Sequence, residues 1–177
     1  YGLRGDEPWR PISVFRTYEA HVMHVRPWLP KEIGEVIYIA MGMADLSVFL
    51  PFYAGLTRVP DSWGRGTADC DAESAYWKFR RVQTLAMTDY AKLAPIVREA
   101  YAAFEAATSE AQKAMEEEYL ALLESDHEAA RAKLDAFNLK VLADGEALAE
   151  KLLNRLFTIR TADIEALVPA KNRKNKD

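Results

Sequence analysis

The chain is poor in residues that staple a fold or coordinate a metal: it holds one cysteine, Cys70, and three histidines, His21, His24 and His127. A lone cysteine excludes an internal disulfide framework and any multi-cysteine zinc site, and it fits a reducing compartment. An excess of basic charge is also missing. The formal net charge is -4 and the pI near 5.5, which argues against a general nucleic-acid binder, because that role needs a basic face to displace counterions from phosphates. The tail Lys171, Arg173, Lys174, Lys176 is too short to reverse this. No apolar run approaches the roughly 18 to 20 residues of a membrane span, and the opening YGLRGDEPW lacks the basic and apolar blocks of a signal peptide. The expectation is a cytoplasmic protein that engages neither membrane nor nucleic acid. A glycine-rich phosphate loop, a His-Glu zinc motif and a GxSxG elbow are absent too, so no cofactor and no metal are implied.

What is present is an ordinary globular composition, 50% hydrophobic and 28% charged over 177 residues, enough for one domain with a real core. Two compositional parts are visible. Residues 1–70 are rich in aromatic and β-branched residues, and residues 71–177 in Ala, Glu, Leu and Lys. This predicts an α+β fold, a strand-rich part followed by a helical one.

Residues 12–26 form the longest strand candidate. Period-two alternation puts Ile12, Val14, Arg16, Tyr18, Ala20, Val22 and His24 on one face and Phe15, Thr17, Glu19, His21, Met23 and Val25 on the other. Both faces are mostly apolar, which predicts a sheet packed on both sides with its charges enclosed. EVIYIAM (35–41) and SVFLPFY (47–53), joined by GMADL, predict an antiparallel hairpin. Pro51 has no amide to donate to a ladder, so the third run lies at an edge, is bulged, or ends before it. The turn-rich stretch AGLTRVPDSWGRGTADCD predicts an irregular loop.

From Asp71 the period becomes helical, with Ala75, Phe79, Val82 and Ala86 on one face. A second helix is predicted to open at Pro95, where a missing N–H costs nothing. Ser109 with Gln112 and Ser125 with Glu128 read as capping boxes at further helix starts. Leu134, Phe137, Val141, Leu148, Leu152 and Leu156 make a long apolar stripe, and Thr161 is placed as the cap of a last short helix. The acidic run KAMEEEYLALLESDHE (113–128) reads as a solvated helix face. Three short strands are too little sheet to bury two apolar faces. The simplest supplier of more strands is polypeptide upstream of Tyr1, which is itself neither an initiator Met nor an obvious natural start, so a cut chain is expected.

Chemistry is harder to locate. Asp69, Asp71 and Glu73 surround Cys70 with negative charge, which disfavours the thiolate a nucleophile needs, so Cys70 reads as a loop cysteine without function. His21 and His24 fall on opposite faces of a strand and cannot clasp one ion together. Glu19 and His21 share a face, but two ligands do not close a metal site. His127 falls in the first turn of a helix and is expected to face solvent.

"RPISVFRTYEAHVMHVRPWLP", "VIYIAMGMADLSVFLPFYAG" and "SAYWKFRRVQTLA", in this order over residues 9–94, resemble the C-terminal part of bacterial cysteine dipeptidases, the dipeptidase A family of N-terminal-nucleophile hydrolases. The helices beyond residue 95 share only its general character. The resemblance implies an αββα sandwich of two stacked antiparallel sheets between helices, and a catalytic cysteine at the mature N-terminus whose own α-amino group is the general base. Dipeptides would be the substrate. This chain departs from the pattern at the decisive point, because its one cysteine is internal. The resemblance therefore implies a C-terminal fragment, inactive alone, that needs the upstream part of the same protein, and whose exposed strand edges favour a homo-oligomer. It also places Arg16 where related amidases carry a strand arginine beside the nucleophile, as a charge-stabilising residue, with Glu19 and His21 as candidates to line the same region. The structural alternative for Arg16 is pairing with a buried carboxylate. The alternative function is a non-catalytic helical protein-interaction module, in which the leucine stripe presents an apolar groove to a partner.

Overall fold

A computed structural model describes residues 12–167. The fold is α+β: a three-stranded antiparallel sheet followed by a helical C-terminal half. The strands are β1 (Glu19–Val25), β2 (Glu35–Met41) and β3 (Leu50–Tyr53), in the spatial order β1-β2-β3. A single turn of helix, α1 (Lys31–Gly34), feeds β2. Three longer helices follow: α2 (Ala75–Ala86), α3 (Tyr90–Leu123) and α4 (His127–Ala166).

The predicted hairpin is present. Val36 pairs with Tyr53, Tyr38 with Pro51, and Ile39 with Leu50. Pro51 is accommodated because β3 lies at the edge of the sheet. The first strand is shorter than expected, since Ile12–Tyr18 form bends and turns, with Thr17 N–H donating to the Val14 carbonyl at 3.0 Å. β2 ends at Met41 opposite Glu19, so residues before Glu19 have no strand to pair with, and apolar alternation alone does not make a ladder.

Register divides the sheet into two faces. Val36, Tyr38 and Ala40 of β2 share a face with Tyr53 and Pro51 of β3, and helices cover it: Val36 and Tyr53 pack with Met115 and Tyr119 of α3 and with Ala130 and Leu134 of α4. On the opposite face His21 is registered with Ile39, and Met23 with Ile37. There the expectation of enclosed charges fails within this chain. β1 is open on both sides, with Val22 55%, Met23 63% and Val25 58% exposed, because the helices lie over β2 and β3 and stop short of β1.

The main core joins both parts of the chain, from Met43, Leu46, Val48 and Leu50 to Phe79, Val82, Val97, Leu142 and Leu156. The α2 face Ala75, Phe79, Val82, Ala86 is buried as its spacing predicts. So are Leu134, Val141, Leu152 and Leu156 of the α4 stripe, with Phe137 and Leu148 packed against the core. Gly145 lets α4 approach β3, since a Cβ there would stand 3.0 Å from Leu50 Cδ1.

Helix boundaries are where the sequence misleads. Pro95 and Ser109 both lie inside α3, which runs unbroken for 34 residues. The turn around Pro95 is held by tertiary contacts: the Tyr90 hydroxyl and the Arg98 guanidinium both donate to Asp45, outside the helix. At α4 the cap is Asp126, not Ser125, and its carboxylate accepts from Ala129 N–H at 2.9 Å. Thr161 caps nothing. Its hydroxyl bonds back to the Phe157 carbonyl at 2.9 Å, and α4 continues to Ala166.

Candidate functional site

The structure brings Glu19 and His21 together and leaves Arg16 beside them in sequence but off the strand. Alternation places both Glu19 and His21 on the open face of β1, where His21 Nδ1 lies 2.8 Å from Glu19 Oε1. An ionised carboxylate only accepts, so Nδ1 is the donor in this bond. Arg16 occupies the turn between Val14 and Thr17 and is exposed. Its expected strand position is corrected to a lead-in turn, two residues before Tyr18, whose carbonyl accepts from Gly42 N–H at 2.7 Å. His24 takes the opposite face, registered with Val36.

Towards the other end of β1 a shallow cavity of about 170 Å³ opens along the sheet, lined among others by Met23, Val25, Glu35, Ile37 and Phe52. Its wall is mostly apolar, and the only charge that β2 brings to it is Glu35. Such a surface suits packing or an apolar side chain better than an ion. Among the described residues no cluster of three His, Cys, Asp or Glu could hold a metal.

Cys70 is exposed in the loop ahead of α2. Next to it, Asp71 is held below the ordinary carboxylate range chiefly by Glu73 N–H, against desolvation, with Arg65 adding a lesser pull in the same direction as Glu73. Trp63 of the same loop packs at 4.9 Å from Phe52 and 6.1 Å from Phe79. Arg65 is bonded to Asp71 at 3.1 Å, so both residues serve the loop's own architecture. His127 is exposed, as predicted.

A polar network at the far end of β1 escaped sequence reasoning. Arg26 donates from Nη1 and Nη2 to the two carboxylate oxygens of Glu116, both at 2.7 Å, and from Nη2 to the Ile33 carbonyl at 2.5 Å. Tyr53 donates to Glu116 at 2.6 Å, and Tyr38 to Gln112 at 3.1 Å. The hydrogen bond to Glu116 raises the Arg26 pKa, and burial followed by Glu116 pushes the Tyr53 phenol far above its usual range. The acidic run is therefore not wholly a solvated face: Met115 and Tyr119 are buried in it, and Glu116 locks the end of β1 to α3. The available signal was the i, i+4 apolar pair flanking Glu116. A second network joins the loop, α2 and α4: Ser62 donates to Glu146 at 2.6 Å, and Lys78 Nζ donates to the other carboxylate oxygen at 2.6 Å.

Among the described residues no helix is long and apolar enough to cross a membrane.

Against known proteins, a family model described as "Peptidase family C69" matches residues 3–103, which include the whole sheet, Arg16, Glu19, His21 and α2. A protein named "Probable dipeptidase" from Salmonella dublin is 66% identical over 51 residues, 29% of this chain and 12% of that protein. "Dipeptidase A" from Lactobacillus helveticus is 30% identical over 94 residues, 51% of this chain and 20% of its own length. "Probable dipeptidase B" from Streptococcus pyogenes serotype M1 is 25% identical over 166 residues, covering 94% of this chain and 31% of that protein. The chain thus spans between 12% and 31% of the length of these three relatives.

Proposed function

Because the chain belongs to peptidase family C69, we propose that it is the C-terminal part of a dipeptidase whose nucleophile, an N-terminal cysteine, lies upstream in the same protein. The observation that carries this reading is the uncovered face of β1 and β2. That face holds the Glu19–His21 pair and the exposed side chains of Met23, Val25 and Ile37 within the stretch the family shares. A second sheet from the rest of the protein would cover it and complete an αββα sandwich, burying its apolar residues at about 25 cal/mol per Å², and a further strand beside β1 would pair its exposed edge. If that edge stayed free it would favour self-association.

In the proposed reaction the α-amino group takes the thiol proton and the thiolate attacks the carbonyl carbon of the dipeptide. The tetrahedral oxyanion collapses, the leaving amine takes the proton back, and a thioester remains. Water, deprotonated by the same amine, then releases the first amino acid and restores the thiol. Arg16 supplies the fixed positive charge that favours the thiolate and the oxyanion, a task suited to a guanidinium because it stays protonated throughout. Glu19 orients His21 at the rim of the site. A cytoplasmic location would keep the thiol reduced. Without that cysteine the 177 residues are inactive.

The leucine stripe that motivates a helical interaction module is spent on the core, with Leu134, Leu152 and Leu156 all buried. The dipeptidase reading is tested on the protein made from its complete reading frame. N-terminal sequencing should show a mature chain starting with cysteine, and dipeptide hydrolysis in reducing buffer should vanish on thiol alkylation. Hydrolysis indifferent to alkylation, or none, would overturn the reading.

A further inference from the structure

One stripe of α2 grips the segment that leads into β1. Tyr76, Arg80 and Gln83 follow one another at helical spacing, and all three reach the same neighbourhood. The Arg80 guanidinium stands 3.8 Å from the centroid of the Phe15 ring, and its Nη1 donates to the Phe15 carbonyl. The Tyr76 ring lies 6.2 Å from that of Tyr18. Gln83, fully buried, donates to the Met41 carbonyl at 2.7 Å and accepts from Met43 N–H at 3.0 Å. Between those two residues Gly42 takes φ 78°, and a Cβ there would stand 2.3 Å from Gln83 Oε1, so only glycine lets the amide clamp the turn. Gly42 N–H then donates to the Tyr18 carbonyl at 2.7 Å. Both flanks of Arg16 are thereby tied to one helix face.

Arg80 is an unusual choice for such a tie. Its hydrogen bonds among the described residues go to a carbonyl and, at 3.5 Å, to the Gln83 amide oxygen, and it forms no ion pair with a carboxylate of those residues. A guanidinium kept for stability alone is better served by a carboxylate. One that must hold a neighbouring backbone in place, by stacking and donating at once, needs the planar fork used here.

We propose that Arg80 is a positioning residue for the reaction: by holding the ring and carbonyl of Phe15 it sets where Arg16 stands, while Gln83 fixes the turn that faces it. This rests on the reading of Arg16 as the charge-stabilising group.

The test is a double-mutant cycle in the intact protein, Arg80→Met with and without Arg16→Ala. It is read by kcat and KM on a dipeptide and by amide exchange at residues 15–18. Exchange there should quicken about tenfold in Arg80→Met. Misplacing a group by an ångström costs up to roughly a hundredfold, so kcat should drop about ten- to a hundredfold, with KM changed less than about threefold. In the Arg16→Ala background the further loss should be under about twofold. Arg80→Lys should recover part of kcat, and if Arg80→Met does not fold, Arg80→Lys and Phe15→Leu run the same cycle. Equal losses in both backgrounds, or unchanged exchange, would overturn the proposal. So would an Arg16→Ala enzyme with full kcat, which would leave the dipeptidase reading standing. A wild-type protein that hydrolyses no dipeptide sinks that reading itself.

Discussion

β1 and β3 flank the same central strand, and they have opposite fates. β3 is closed in: Leu50 is fully buried against Gly145, Tyr53 is 3% exposed, and Phe52 packs on Trp63. β1, with valines and a methionine of its own, is exposed along nearly its whole length. Apolar content does not separate the two strands. What separates them is that α4 passes over β3, held there by Asn138, whose side-chain amide donates to the Pro51 carbonyl at 2.7 Å. No described element passes over the open face of β1.

The contrast can be broken most sharply at Leu50. Leu50→Ala should cost about 2–5 kcal/mol, through lost transfer energy and the cavity left under Gly145, measured by denaturant unfolding. Next comes Asn138→Ala, which leaves the Pro51 carbonyl buried without its donor. A loss of about 1–3 kcal/mol is expected, and an unchanged unfolding midpoint would mean that α4 is not anchored through this bond.

A smaller effect is expected from pH at the opposite end of α3. Burial works against the charge of Asp45, but the hydrogen bonds from Arg98 and Tyr90 outweigh it and hold the carboxyl below its ordinary range. A folded-state pKa below the unfolded one stabilises fully above the unfolded value, about 3.9, and that contribution is lost as pH falls through the folded value. Asp45→Asn should therefore flatten the acid limb of the stability profile below about pH 4 by up to about 1 kcal/mol, since the pair is partly screened by solvent. The smallest effect belongs to β1. Met23→Ser in the 177-residue chain should change stability by no more than about 0.5 kcal/mol. In the intact protein the same substitution should cost clearly more, and equal costs in both would remove the case for a covering layer.

Legibility along the chain follows the range of the interactions involved. The hairpin of β2 and β3 was readable because alternation, the short connection and Pro51 at an edge are local signals that agree. The buried stripes of α2 and α4 were readable because helical period and burial coincide. Ser109 failed as a helix start because a cap matters only where the chain leaves the helix, and α3 does not leave it there. Arg16 was singled out by resemblance, and its place in a turn follows from the end of β2 at Met41 opposite Glu19. The pairing of Glu19 with His21 needed only strand period. Met115 and Tyr119 mark the helix face beside Glu116 as buried, but nothing local marks Arg26, 90 positions away, as its partner.

The sequence alone determined the class of fold, the apolar faces and the shared spacing of Glu19 and His21, since all of these depend on backbone periods of two and 3.6 residues. Tertiary structure decided which face of the sheet the helices cover, that Glu116 meets Arg26, and that Arg80 and Gln83 reach across to the flanks of Arg16. These depend on packing between segments far apart in the chain, and no local pattern specifies which of several apolar surfaces meet.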